Sequence, residues 1–173
     1  ETGATSHIVG KHEIWIYDVI DEDSNFLIHS KSVCSCSLKE AKSVLRSAYQ
    51  QIGNHPKIIL TESETSCPDV RNASNLLSDQ TQVVKNPDKD DNLTDTLIIE
   101  RLQGVLRNGS EVIRSFRNDR ALERFVAGWQ IYYNFFKPNP LLKGQTPAEK
   151  ARIDYKFKNW HDFVVGIHRE NTL

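Results

Sequence analysis

The chain has 173 residues, 38% of them hydrophobic and 26% charged, and its formal net charge is -1. That length buries one sizeable core. The balanced charge excludes a uniformly basic nucleic-acid coat, and no apolar run approaches the ~20 residues needed to span a bilayer. With no charged-then-apolar leader either, a soluble cytoplasmic protein without a membrane partner is expected. The cysteines Cys34, Cys36 and Cys67 are too few for a disulfide framework, and their spacing offers no fourth zinc ligand, so free thiols are expected. The sequence contains no methionine, so Glu1 is expected to open a fragment or processed product rather than a natural translation start.

Residues 1–10 are small and polar apart from Ile8 and Val9, which suits the trailing end of a strand with a turn at Gly10. The β-branched and aromatic run Ile14-Trp15-Ile16-Tyr17 with Val19-Ile20 predicts a strand covered on both faces. Asp21 to Asn25 is turn chemistry, and Phe26 to His29 returns as a second strand, giving an antiparallel hairpin over 12–32. Ser37 and Glu40 form a capping-box pattern ahead of Ala41, Val44, Leu45, Ala48, Tyr49 and Ile52, a helical stripe that stops at Gly53. Lys57 to Thr61 is too short for a helix and reads as a strand; strand, helix and strand together predict a parallel crossover with the helix on the sheet.

Pro68 can open a further helix, Val83-Val84 a short strand, and Asp88 to Asp91 with Asp95 an acidic loop. From Leu97 onward Ile98, Leu102 and Val105 recur at helical spacing beside Ile99 and Leu106, which predicts a core face. A second face carries Glu100, Gln103, Gly104 and Arg107; it can hold a metal ion or a phosphate, or be a solvated stripe. Between Arg101 and Arg124 stand six arginines against three acids, a candidate phosphate-facing surface with Arg101, Arg107 and Arg114 as candidate DNA contacts. Asn118 or Asp119 caps a long helix with an apolar stripe from Leu122 to Phe136, ended by Pro138 and Pro140. Thr146 and Pro147 restart a short helix, and Phe157, Trp160, Phe163, Val164 and Val165 are expected to pack back on the domain.

The second half carries several motifs in a fixed order: Ile99-Glu100-Arg101, then Phe125-Val126-Ala127-Gly128-Trp129 with Tyr133-Asn134-Phe135-Phe136-Lys137-Pro138, then Gly144-Gln145-Thr146-Pro147-Ala148-Glu149. Together they resemble the DDE transposases of bacterial and archaeal insertion sequences, relatives of retroviral integrases. The resemblance covers nearly the whole chain. It implies an α/β ribonuclease H-like fold, a mixed sheet flanked by helices, with C-terminal helices. Residues 1–153 would be the catalytic core, truncated at its amino terminus, and 154–173 a C-terminal packing segment.

The implied activity is metal-dependent DNA strand cleavage and transfer, with three carboxylates holding two magnesium (or manganese) ions, DNA as partner and a homo-oligomer as the working form. Hard oxygen ligands suit such ions. By position Glu100 matches the third carboxylate. Glu62, followed by Ser63 where the family has glycine, stands in place of the second, an aspartate in the family. The first precedes the Glu1-Thr2 pair and is absent. Glu64 and Asp69 are lesser substitutes for the second, and Asp18 and Asp21 are read as structural or secondary. The competing reading is a degenerate or co-opted copy that keeps the fold and DNA or self-association without catalysis.

Overall fold

The computed structural model describes residues 1–9, 11–53, 56–61, 72–73, 82–85, 98–108, 110–116 and 118–170. Among these, five strands form one mixed sheet: β1 (Thr2–Val9), β2 (His12–Ile20), β3 (Leu27–Val33), β4 (Ile58–Thr61) and β5 (Gln82–Lys85), in the order β3-β2-β1-β4-β5. The β1/β2 and β2/β3 pairs are antiparallel, β1/β4 and β4/β5 parallel. The helices are α1 (Leu38–Ile52), α2 (Ile98–Asn108), α3 (Ser110–Ser115), α4 (Asp119–Phe135), α5 (Pro147–Lys150) and α6 (Trp160–Glu170), with a 3-10 turn at Pro140–Leu142.

Strand β2 supplies both faces of the core, as its continuous apolar run requires. Trp15, Tyr17 and Val19 meet Ala41, Val44, Leu45 and Ala48 of α1. On the opposite face Ile14 and Ile16 meet Leu106, Leu122 and Val126, and Ile20 joins Leu27, Ile99, Leu102 and Tyr133. Helix α1 thus covers one side, and α2 and α4 the other, a three-layer arrangement.

Several expectations change. Residues 2–9 are a full central strand rather than a strand end, because β1 fills the gap between the hairpin and the crossover strand. The crossover holds, but β4 pairs with β1 instead of with β3, the strand that precedes α1. The core face of α2 is Ile99, Leu102, Gln103 and Leu106, while Val105 is 40% exposed. Spacing alone could not separate two overlapping apolar arcs; packing under α4 chose the one that contains Gln103. Ser37 caps α1 as read, but Glu40 lies 3.8 Å from Lys31 on β3. Cys36 is disulfide-bonded, so the free-thiol expectation holds, among the described residues, for Cys34; pairing depends on through-space proximity that spacing does not encode. Asn118 caps α4 through the Ala121 amide. Of the helix expected after Pro68 only Asn72 and Ala73 are described, both helical and Ala73 buried in the core under α1; the acidic loop lies outside the described residues. Among the described residues no helix is long and apolar enough to cross a membrane.

Candidate catalytic site

Strand geometry brings three distant parts of the chain to one end of the sheet. Thr2 of β1 stands opposite Thr61, the last residue of β4, so the end of β4 lies beside the start of β1. The Glu1 backbone nitrogen donates to the Ile20 carbonyl at 2.7 Å, and the Ile20 amide donates back at 2.9 Å. From there the Glu1 carboxylate reaches α2, where its Oε2 accepts the Ile99 amide at 2.9 Å. That amide belongs to the first turn of the helix, whose N–H groups have no intrahelical acceptor and attract anions. Glu1 therefore touches the residue immediately before Glu100.

The described residues bear unequally on the predicted site. Glu62 lies outside them, as do the side chains of Glu100, Arg107 and Arg114. The backbone of Glu100 is in the first turn of α2, next to buried Ile99. Arg101 is exposed on a different flank of α2. It lines a cavity of about 240 Å³ with Val105, Tyr133, Lys137 and Pro138. Glu1 was missed as a site residue because the resemblance assigns no role to the position after the first aspartate. The signal that could have marked it is a carboxylate at the head of a central strand.

A second hollow, about 420 Å³, opens beside Glu1 and is lined by Asp21, Glu22 and Asp23 as well as Ile58 and Ile59. Burial holds the Glu1 carboxyl above the usual carboxylate range; its bond from Ile99 opposes this, and the charge of Glu22 adds to it. Among the described lining residues the side-chain donors are oxygens, with no imidazole or thiolate. That chemistry fits a hard divalent cation. Among the described residues no three Asp, Glu, His or Cys side chains come together closely enough to hold a metal ion.

The hairpin acids Asp18 and Asp21, expected to be structural or secondary, both make contacts that hold the fold. Asp21 accepts the Ser24 amide at 2.9 Å and the Ser24 hydroxyl at 2.5 Å, which closes the β2–β3 turn. Asp18 is fully buried on β2, accepts the Ser30 hydroxyl at 2.6 Å through one oxygen and, among the described residues, has no hydrogen-bond partner for the other. Its pKa is pushed up to about 7 by burial, against the lowering effect of the Ser30 bond. A neutral acid at that position explains how a carboxyl with one unmatched oxygen is tolerated.

The Tyr133-Asn134 pair is a clamp on the fold. The Asn134 side chain accepts the Leu27 amide and donates to the Leu27 carbonyl, both at 2.8 Å, while Gln130 donates to the carbonyls of Leu27 and Ile28. These bonds fix α4 to the head of β3. Thr146 and Glu149 form a complete capping box, with Thr146 and Pro147 buried.

No family model matches the chain, and no curated protein matches it. Solved structures do. A simian T-cell lymphotropic virus intasome in complex with PP2A regulatory subunit B56 gamma superposes with a TM-score of 0.63 at 15% identity, over 91% of this chain and 56% of that one. This chain thus spans little more than half the length of that protein. The HTLV-2 integrase catalytic core domain in complex with magnesium, in a trimeric form, gives 0.59 at 14% identity, over 86% of this chain and 91% of that one. The catalytic core domain of BIV integrase gives 0.52 at 12%, over 86% and 90%. At such identities the likeness is one of fold. The chain has the ribonuclease H-like fold of retroviral integrase catalytic cores.

Proposed function

We propose that the chain is the catalytic core of a DDE transposase of a bacterial or archaeal insertion sequence, acting on DNA phosphodiesters in the prokaryotic cytoplasm as a homo-oligomer. The observation that carries the proposal is the meeting of the β1 head, the β4 end and the first turn of α2, given by the Thr2–Thr61 pairing and the Glu1–Ile99 hydrogen bond. It supports reading Glu62, next in sequence after β4, and Glu100, in the first turn of α2, as parts of one site, with an aspartate before Glu1 as its third member. The integrase-core fold supports the same reading, and one such core is described in complex with magnesium.

Glu100 and Glu62 are the residues proposed to hold the metal. Two divalent ions, when bound, supply activation of the attacking oxygen and stabilisation of the leaving one. The chain's own contribution is position. Glu100 is carried on a helix seated by Ile99 and Leu102, and Glu62 follows a strand in the centre of the sheet. Arg101, Arg107 and Arg114 are proposed to hold DNA phosphates near the reacting one, with guanidinium forks matched to phosphate oxygens.

The test is magnesium-dependent cleavage of duplex DNA bearing terminal inverted repeats, by the chain extended before Glu1 with a segment ending in aspartate. Glu100→Gln is expected to lower cleavage by about 100-fold or more while leaving DNA binding in place. Unchanged cleavage in that variant removes Glu100 from the site. The second reading, a co-opted copy without chemistry, is favoured by Glu62, which extends the carboxylate by one methylene where metal geometry is strict. Inactivity of the extended chain, relieved by Glu62→Asp, identifies that case.

A further inference from the structure

Residues 143–158 carry Lys143, Lys150, Arg152, Lys156 and Lys158 against Glu149 and Asp154, a local net charge of +3 in a chain whose total is -1. All five cations are exposed, and none makes an ion pair among the described residues. Glu149 turns its carboxylate back onto the Thr146 amide at 2.8 Å. Asp154 is the remaining acid.

The segment after α5 holds these cations in a fixed frame. In Tyr155-Lys156-Phe157-Lys158 the rings are partly buried and the lysines exposed, an alternation that turns one edge inward and the other to solvent. Tyr155 packs edge-on against Phe135 at 5.1 Å, and Phe157 against Phe163 at 5.3 Å. Phe157 also lies over Gly166 of α6, where a Cβ would come within 2.7 Å of its ring. The lysines are therefore presented from a pinned backbone, which lowers the ordering cost of contacting a partner.

Arg152 adds an independent observation. Its amide donates to the Glu149 carbonyl just past α5, and its φ is +58°, the left-handed conformation that favours glycine at a helix end. An exposed arginine stands where backbone geometry prefers no side chain at all. A site kept against local stability is where a side-chain function is to be sought.

The strip is also joined to the candidate catalytic end. Phe26, in the turn that follows β2, packs edge-on against Phe135 at 5.9 Å, and Phe135 in turn holds Tyr155. Two ring contacts thus connect the β2–β3 turn, whose Asp21 to Asp23 line the hollow beside Glu1, to the basic strip.

We propose that the Lys150–Lys158 strip is a second DNA-docking track, which grips the backbone of duplex DNA leading to or from the catalytic end and reads no sequence. It rests on the DNA reading above. The neighbouring amide, Asn159, is engaged with Asp162; protruding cations neutralise phosphates, and each contact contributes to the salt dependence of binding.

The experiment is fluorescence anisotropy of the full chain with a labelled duplex of arbitrary sequence, in EDTA, over a series of salt concentrations. Lys156→Gln/Lys158→Gln is expected to flatten the slope of log K against log salt by about 2 and to weaken binding by about tenfold at moderate salt. The control Lys39→Gln/Arg46→Gln, on α1 at the opposite face of the sheet, leaves both unchanged. Arg152→Gly is expected to raise the melting temperature and to weaken DNA binding at once, a pairing that a purely structural role does not produce.

Wild-type slope and affinity in the double lysine variant overturn the proposal. So does loss of binding to phosphatidylserine vesicles, rather than to DNA, in that variant. Failure here is separable from failure of the enzymatic reading, because binding is read without metal and cleavage with it. A chain that docks DNA through the strip but never cleaves keeps the track and loses the chemistry.

Discussion

Asp18 shows how one side chain can couple the fold to pH. Its unfolded pKa lies near 3.9, and its folded value is about 7 because the carboxyl is buried among β2, β3 and Tyr133. Between those values the native chain holds a proton that the unfolded chain has released. Stability is therefore highest with respect to this group below pH ~4, falls as pH rises through the window to ~7, and stays low above it. A shift of about 3 units corresponds to a loss on the order of 4 kcal/mol. Asp18→Asn is expected to keep the Ser30 bond and flatten the profile. Melting temperatures of wild type and variant from pH 4 to 8 should converge or cross as pH rises; parallel curves would mean that Asp18 is not the titrating group. The sequence marked this residue as structural or secondary, but an aspartate in a strand looks alike whether it faces water or a core.

At the scale of elements, α2 and α4 carry the lesson. The apolar spacing of α2 announced a helix, and the helix is there, yet its buried arc is Ile99, Leu102, Gln103 and Leu106 rather than one that includes Val105. Leu106→Ala is expected to cost about 2–4 kcal/mol in denaturant unfolding, as for other buried leucines, and Val105→Ala under ~1. Equal losses would restore the arc read from spacing. In α4 the wide stripe was legible, and what it could not reveal was why Asn134 interrupts it. That amide supplies both bonds that a neighbouring strand would give to Leu27. Asn134→Ala leaves a buried donor and acceptor unmatched and is expected to cost about 2–4 kcal/mol, with the head of β3 losing hydrogen-exchange protection first. Uniform loss of protection would argue against a local clamp.

For the molecule as a whole, the decisive fact is the strand order. A hairpin, a crossover helix and two parallel strands are local patterns, each readable from residues. Their assembly as β3-β2-β1-β4-β5 is what brings Glu1, the exit of β4 and the first turn of α2 to one end. If that end holds divalent ions, magnesium binds the native state alone and raises the melting temperature by mass action. The expected increment at millimolar magnesium is abolished in Glu100→Gln and absent with potassium at matched ionic strength. An increment that survives in the variant would place the ions elsewhere. Sequence by itself determined the α/β class, most element positions, the caps at Ser37 and Thr146, a cap at Asn118 or Asp119, and the resemblance that named Glu62 and Glu100, because caps and periodicity are local physics. Tertiary structure alone decided that β1 is central, that β4 joins it, that α2 turns Gln103 inward, and that Glu1 meets the helix of Glu100. Each of these depends on surfaces brought together across the chain, and local spacing holds no information about them.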